Sequence, residues 1–126
     1  VQPSRADLLV HRLRDQFPHA VIEAVAQPHV AMESATGLIH ATPTGMAAHP
    51  GLPIDPALLR PDMWVAEIVY FPLETELLRV ARSIGCRTVD GGGMAVFQAA
   101  AAMEYFVDGP VDHERMRAHF LALDVD

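Results

Sequence analysis

The chain has 126 residues, of which 51% are apolar and 20% are charged, and its formal net charge is −7. This length supports one compact core, and the composition is that of a globular protein rather than a disordered or fibrous one. The negative charge argues against nucleic acid or an anionic membrane surface as a partner, and no apolar run reaches the roughly 18 residues of a membrane-spanning helix. The single cysteine, Cys86, cannot form an internal disulfide, which fits a reducing cytoplasm.

The first third of the chain is predicted to contain one helix and two strands. Ser4 is a good N-cap residue, and apolar side chains at helical spacing follow it until Pro18 ends the run. The β-branched segment 20–25 predicts a strand, residues 29–33 predict a helical turn, and residues 37–41 predict a second strand.

The middle third begins with a long loop and ends with a helix. The loop is rich in proline and glycine and runs from residue 42 to 62, with a short turn expected at residues 56–59. A third strand is predicted over residues 64–69. Residues 74–84 place apolar side chains on one helical face, and Gly85 closes that helix.

The last third predicts a strand followed by two helices. The strand covers residues 87–90, and three glycines at 91–93 turn into a helix over residues 94–106. Asp112 is suited to cap a final helix. Because apolar strands alternate with helices along the whole chain, we expect an α/β fold with a mainly parallel sheet that is covered on both faces.

The order of elements differs from that of a complete dinucleotide-binding fold because it begins with a helix. The residues present supply no first strand, no glycine-rich phosphate turn, and no acidic residue about 20 positions later to hold a ribose. We therefore expect a partial Rossmann-like, doubly wound fold. We also expect the isolated chain to bind NAD no more tightly than about millimolar, since the helix N-terminus that would hold the pyrophosphate is lacking.

Four stretches of sequence carry a resemblance to a known family. They are Ser4-Arg5, the segment from Ala41 to Met46, the segment from Ile68 to Leu78 with its Tyr-x-Pro-x-x-Thr-x-Leu-Leu pattern, and the segment from Asp90 to Met94 with Gln98. The last two patterns are specific when they stand about 20 residues apart. In this order the four stretches resemble the shikimate and quinate dehydrogenases over nearly the whole chain.

The resemblance implies a two-domain oxidoreductase of the shikimate and quinate pathway, linked to aromatic amino acid biosynthesis. An N-terminal domain would bind the substrate and supply a catalytic Lys and Asp, and a Rossmann-like domain would bind NAD or NADP. Residues 1–126 would be the C-terminal part of the latter domain, with the N-terminal domain absent and no catalytic residue present. The complete protein would oxidise shikimate or quinate reversibly to the 3-dehydro acid, whereas this chain alone would be inactive. A homodimer of the complete protein is left open.

Two residues match family positions that face the substrate. Tyr70 and Gln98 both carry hydrogen-bonding groups suited to a polyol, and a site that pairs substrate hydroxyls rejects analogues without them. The alternatives are that Tyr70 packs against a sheet edge and that Gln98 is a solvated helix residue.

The resemblance also implies a set of cofactor contacts. Gly91 and Met94 match contacts with the nicotinamide half, where a residue without Cβ lets the backbone approach and a thioether packs on the ring. Ile68 matches an apolar residue of the same pocket. Ala41, Thr42 and Pro43 follow a strand at the carboxyl edge of the sheet, where ligands of such folds bind. The alternatives are that Gly91 only opens a loop, that Met94 and Ile68 are core residues, and that residues 41–43 form a plain turn.

Two departures from the family pattern bear on the cofactor. Arg5 matches a residue that contacts the adenine ribose, but Ser4 and Ala6 replace the Asn and Thr that flank this arginine in NADP-using members. NAD is therefore the predicted cofactor, with NADP as the alternative, and Arg5 could instead be a solvated residue at a helix start. His40 stands where most relatives have Asn, and a neutral imidazole replaces one amide hydrogen bond but not both.

Other chemistries are not favoured by the sequence. The remaining histidines show no metal-ligand spacing and have no companion thiols, so no metal site is predicted. Asp62, Glu67 and Asp90 suggest a paired-carboxylate mechanism, but hydride transfer needs one acid–base group, and Asp90 is predicted to organise the glycine turn. A catalytically silent relative that binds metabolites or regulates, or a fragment without activity, is the alternative function.

Overall fold

A computed structural model describes residues 3–123, apart from the side chains of Pro3 and Ser4. The chain divides into two compact units, Val1–Ser34 and Ala35–Asp126. The elements in chain order are α1 (Pro3–Gln16), α2 (Pro28–Met32), β1 (Gly37–His40), a 3-10 turn (Pro56–Leu58), β2 (Trp64–Glu67), α3 (Glu76–Ile84), β3 (Arg87–Val89), α4 (Gly92–Met103) and α5 (His113–Leu121).

The first unit contains α1 and α2, joined by a segment without regular secondary structure. α1 begins at Pro3, which places Ser4 inside the first turn instead of at the N-cap position predicted for it. The strand predicted over residues 20–25 is wrong. A strand is held by ladder hydrogen bonds to a neighbour, and no described strand pairs with this segment, in which Val21 is 91% exposed. The β-branched composition of the segment says nothing about a partner.

The second unit is built on a three-stranded parallel sheet in the order β1–β2–β3. Gly37 lies beside Trp64, and Trp64 lies beside Arg87. The prediction of parallel strands is confirmed, although β2 ends at Glu67 rather than at residue 69. Because the strands are parallel, their carboxyl ends meet at one edge of the sheet, and the chain leaves that edge at residues 41, 68 and 90.

The predicted helix after the third strand is confirmed as α3. The Thr75 hydroxyl accepts a hydrogen bond from the Leu78 backbone N–H at 3.3 Å and caps the helix N-terminus. Gly85 ends the helix in the left-handed conformation, with φ of 102°. α3 packs against β2 and β3, and the largest fully buried side chains include Met63, Val65, Leu77 and Leu78.

The last two helices form a pair, since α4 and α5 pack against each other. α4 begins at Gly92, two residues earlier than predicted, because the Asp90 carboxylate accepts a hydrogen bond from the Gly92 N–H at 2.9 Å. Asp90 thus organises the turn as predicted. The Asp112 carboxylate likewise accepts from the Arg115 N–H at 2.9 Å, which confirms Asp112 as the cap of α5. None of the helices within residues 3–123 is long and apolar enough to cross a membrane.

Candidate ligand-binding site

A groove lies where the chain leaves β1 and β2 at their carboxyl ends. Its volume is about 490 Å³, and it is lined by Ala41, Thr42, Pro43, Met46, Ile68, Val69, Tyr70 and Phe71. Small-molecule sites of proteins typically measure about 300–1,000 Å³, and ligands of open parallel sheets bind at this edge. The structure therefore brings five of the residues predicted to bind ligand into one groove, namely Ala41, Thr42, Pro43, Ile68 and Tyr70.

The walls of the groove are mostly apolar, with a few polar groups. Ile68 follows β2 instead of lying within it and is 38% exposed, so it is not the buried core residue that the sequence left as an alternative. Tyr70 is half exposed and also borders a smaller pocket formed with Phe120 and Leu123. Apolar walls with the hydroxyls of Thr42 and Tyr70 suit a flat ring that carries hydrogen-bonding groups.

Gly91 packs against the backbone of the groove wall. A Cβ built on Gly91 would lie 2.6 Å from the Ile68 carbonyl oxygen and 2.7 Å from that of Val69. This close packing explains why the position has no side chain. The predicted contact of Gly91 with a nicotinamide ring is a separate matter and stays a prediction.

Met94 and Gln98 lie on α4, one helical turn apart. Residues four positions apart on a helix share a face. Met94 is 40% exposed, so it is not a core methionine, and Gln98 is exposed as well. The pair thus offers a thioether and an amide on one accessible face of α4.

A buried polar cluster lies behind the groove, which sequence reasoning did not find. His40 and Glu67 are 4% and 2% exposed, and they end neighbouring strands as register partners. His40 Nδ1 lies 2.8 Å from Glu67 Oε1 and 3.0 Å from Oε2, while His40 Nε2 lies 2.6 Å from Thr42 Oγ1. The Glu67 carboxylate also accepts hydrogen bonds from the Val69 N–H and the Thr75 hydroxyl, both at 3.0 Å.

This cluster shows which hydrogen bonds the imidazole at position 40 makes in place of the usual amide. Both ring nitrogens of His40 have a partner, and one of them holds Thr42 at the groove. The only sequence signals were the departure from Asn at His40 and the carboxylate at Glu67. Neither signal reveals that the two residues are cross-strand neighbours.

Comparisons with known proteins show which proteins the chain is similar to. No family model matches the chain. It is 50% identical over 123 residues to the shikimate dehydrogenase (NADP⁺) of Streptomyces avermitilis, covering 96% of this chain and 42% of that protein. It is 42% identical over 125 residues to the quinate/shikimate dehydrogenase (NAD⁺) of Corynebacterium efficiens, covering 98% of this chain and 44% of that protein.

A solved structure gives the same result. Quinate dehydrogenase from Corynebacterium glutamicum in complex with NAD superposes with a TM-score of 0.86 at 40% identity, over 97% of this chain and 44% of that one. The chain belongs to the shikimate and quinate dehydrogenase family. This assignment confirms the resemblance read from the sequence and the partial Rossmann-like fold. The chain spans less than half the length of the family members that it matches.

Three other sequence predictions concern Arg5, metal binding and Cys86. Arg5 is exposed in the first turn of α1 within the first unit, and its contact with an adenine ribose stays a prediction. Within the described part of the chain, no three His, Cys, Asp or Glu side chains stand close enough together to hold a metal ion. Cys86 is buried, and its Sγ–H donates to the Arg60 carbonyl oxygen at 3.1 Å.

Proposed function

We propose that the protein containing this chain is an NAD-linked dehydrogenase that oxidises quinate or shikimate reversibly to the 3-dehydro acid. The observation that carries the proposal is the groove at the carboxyl ends of β1 and β2, in which Thr42, Ile68 and Tyr70 meet. In this proposal the chain holds the nicotinamide half of the cofactor and forms one wall of the substrate cleft. The catalytic Lys and Asp lie outside residues 1–126.

The residues of the groove fit the nicotinamide part of NAD. Its apolar walls, including Pro43 and Ile68, would cover the faces of a flat ring, and Gly91 and Met94 at the start of α4 would complete its surroundings. When NAD is bound, it accepts a hydride from the substrate carbon. The part of this chain is to bind the ring, to orient it and to exclude water from it. NADP is the alternative cofactor, and Arg5 is proposed to contact the adenine ribose.

Tyr70 and Gln98 are proposed to bind the hydroxyl groups of the substrate. Both side chains are exposed and end in groups that donate and accept hydrogen bonds. A buried polyol pairs its hydroxyls with such groups, and an analogue without a hydroxyl leaves one of them unpaired. This supports a polyhydroxy ring acid as the substrate. No nucleic acid or membrane partner is proposed.

The test is a steady-state assay of the full-length gene product. We expect turnover of quinate or shikimate, with a higher kcat/KM for NAD than for NADP. A higher kcat/KM with NADP would overturn the cofactor assignment. Absence of turnover with both cofactors and both substrates would overturn the enzymatic function and favour a silent relative.

Three further properties of the complete protein are proposed. A cytoplasmic location is supported by the single unpaired cysteine, Cys86. A homodimer is proposed from the family resemblance. Cell fractionation would test the location, and analytical ultracentrifugation of the full-length gene product would test the dimer. The third property is that the enzyme requires no metal ion, which predicts unchanged turnover after treatment with a chelator.

A further inference from the structure

The proposed function leaves the buried pair of His40 and Glu67 without a role. Two ionisable side chains at 4% and 2% exposure are costly to bury unless each polar atom is paired. Within the described part of the chain no buried side-chain nitrogen or oxygen lacks a hydrogen-bond partner. The polar atoms of the cluster are therefore fully paired, and the cluster ends at Thr42, an exposed residue that lines the groove.

The direction of each hydrogen bond follows from what each group can do. An ionised carboxylate only accepts, and three donors point at Glu67, namely His40 Nδ1–H, the Val69 N–H and the Thr75 hydroxyl. A carboxylate bound to Nδ1–H holds an imidazole in one tautomer, with Nε2 left as an acceptor, as in the Asp-His-Ser arrangement of hydrolases.

In that tautomer the Thr42 hydroxyl hydrogen has one orientation available. The Thr42 O–H then donates to His40 Nε2, whose distance from Oγ1 is 2.6 Å, while Oγ1 accepts a longer hydrogen bond from the Thr44 N–H at 3.4 Å. A hydroxyl has one hydrogen and two acceptor sites. With the hydrogen held by His40, Thr42 can offer the groove only an acceptor.

We propose that Glu67 and His40 are positioning residues that fix Thr42 as a hydrogen-bond acceptor and so select a ligand group with an N–H donor at this point of the groove. The ligand class is a primary amide, because its NH₂ group donates hydrogen bonds, whereas a ketone or an ester has no N–H donor. The inference rests on the proposed function for the identity of the ligand. The tautomer of His40, by contrast, is a property of the protein alone.

The first measurement is nitrogen NMR of the full-length gene product labelled at histidine with ¹⁵N, with His40→Asn used to assign the His40 signals. We expect Nδ1 to be protonated and Nε2 to have the shift of an unprotonated ring nitrogen. A protonated Nε2, in either the other tautomer or the imidazolium, would overturn the inference because Thr42 would then be free to donate.

The second measurement compares the dissociation constants of NAD and of its 3-acetylpyridine analogue, in which a methyl group replaces the amide NH₂. We expect wild-type protein to prefer NAD, and Thr42→Val to lose about 2- to 12-fold of that preference, the value of one net hydrogen bond. Thr42→Ser, which keeps the hydroxyl, should restore the preference. His40→Asn should reduce it although His40 lies behind the groove wall, whereas His19→Asn, at an exposed position, should not.

The outcomes separate this inference from the proposed function. Binding of NAD by all variants with an unchanged preference in Thr42→Val would overturn the inference alone. Failure of wild-type protein to bind NAD would overturn the proposed function and, with it, the amide as ligand. A loss of preference in Thr42→Val that Thr42→Ser does not restore would assign the effect to packing and overturn the role of the hydroxyl.

Discussion

Substitution of Gly91 by alanine tests how closely the start of α4 packs on the groove wall. The added Cβ would lie 2.6 Å from the Ile68 carbonyl oxygen, 2.7 Å from that of Val69 and 2.9 Å from the Val69 carbonyl carbon. Ordinary contacts of a Cβ lie at 3.4–4 Å, and all three atoms belong to the backbone, which cannot rotate away. The backbone angles of Gly91, φ −79° and ψ −5°, suit alanine, so the cost comes from the contact.

The expected loss in free energy of unfolding is about 1–3 kcal/mol, the usual cost of forcing extra atoms into a packed site. Gly93 provides a matched control two residues further along. A Cβ there meets only Phe97 Cε2 at 3.9 Å, and Gly93 lies within α4. Gly93→Ala should therefore stabilise the protein by about 0.5–1 kcal/mol, because alanine loses less backbone entropy in a helix.

Urea-induced unfolding of the full-length gene product, followed by circular dichroism, measures both changes. The two variants should move the midpoint in opposite directions at unchanged slope. If Gly91→Ala were as stable as wild-type protein, the close packing of Gly91 on residues 68 and 69 would be refuted. A loss of stability in Gly93→Ala would show that the effect belongs to the glycine turn as a whole.

Two further tests concern the packing of the sheet unit. Gly37→Ala should destabilise the protein by about 1–3 kcal/mol, because its Cβ would overlap the indole of Trp64 on the neighbouring strand. The loss should be smaller in a Trp64→Ala background. Additive losses in a double-mutant cycle would contradict this contact. Burial raises the pKa of the Cys86 thiol, whose Sγ–H donates to the Arg60 carbonyl, so Cys86 should react with iodoacetamide at pH 8 more slowly in native than in urea-unfolded protein. Equal rates, measured on the Cys86 peptide by mass spectrometry, would contradict its burial.

The sequence predicted those parts of the fold that depend on local signals. α3 was recognisable because its apolar side chains repeat at helical spacing and Gly85 stands where a left-handed residue ends a helix. Asp90 and Asp112 were recognisable because a carboxylate before a helix accepts backbone hydrogen bonds. These features lie within a few residues of one another along the chain, so no tertiary information was needed.

The features that failed or were overlooked depend on which strands become neighbours. Segment 20–25 has the composition of a strand, but a strand requires a partner and the described residues give it none. The pairing of His40 with Glu67 spans 27 positions and depends on the register of β1 and β2. The close packing of Gly91 on the carbonyls of residues 68 and 69 likewise depends on tertiary structure, while its contact with the cofactor stays a prediction.

We propose that one groove serves two ligands, with Tyr70 contacting the substrate and Ile68 contacting the cofactor. The most direct test of this claim is the substitution Tyr70→Phe in the full-length gene product, with the 89% exposed Tyr105→Phe as control. Loss of one hydrogen bond to a substrate hydroxyl should lower kcat/KM for quinate or shikimate about 2- to 12-fold, while the dissociation constant of NAD stays unchanged and Tyr105→Phe has no effect. An unchanged kcat/KM for the polyol together with weaker NAD binding would contradict the claim.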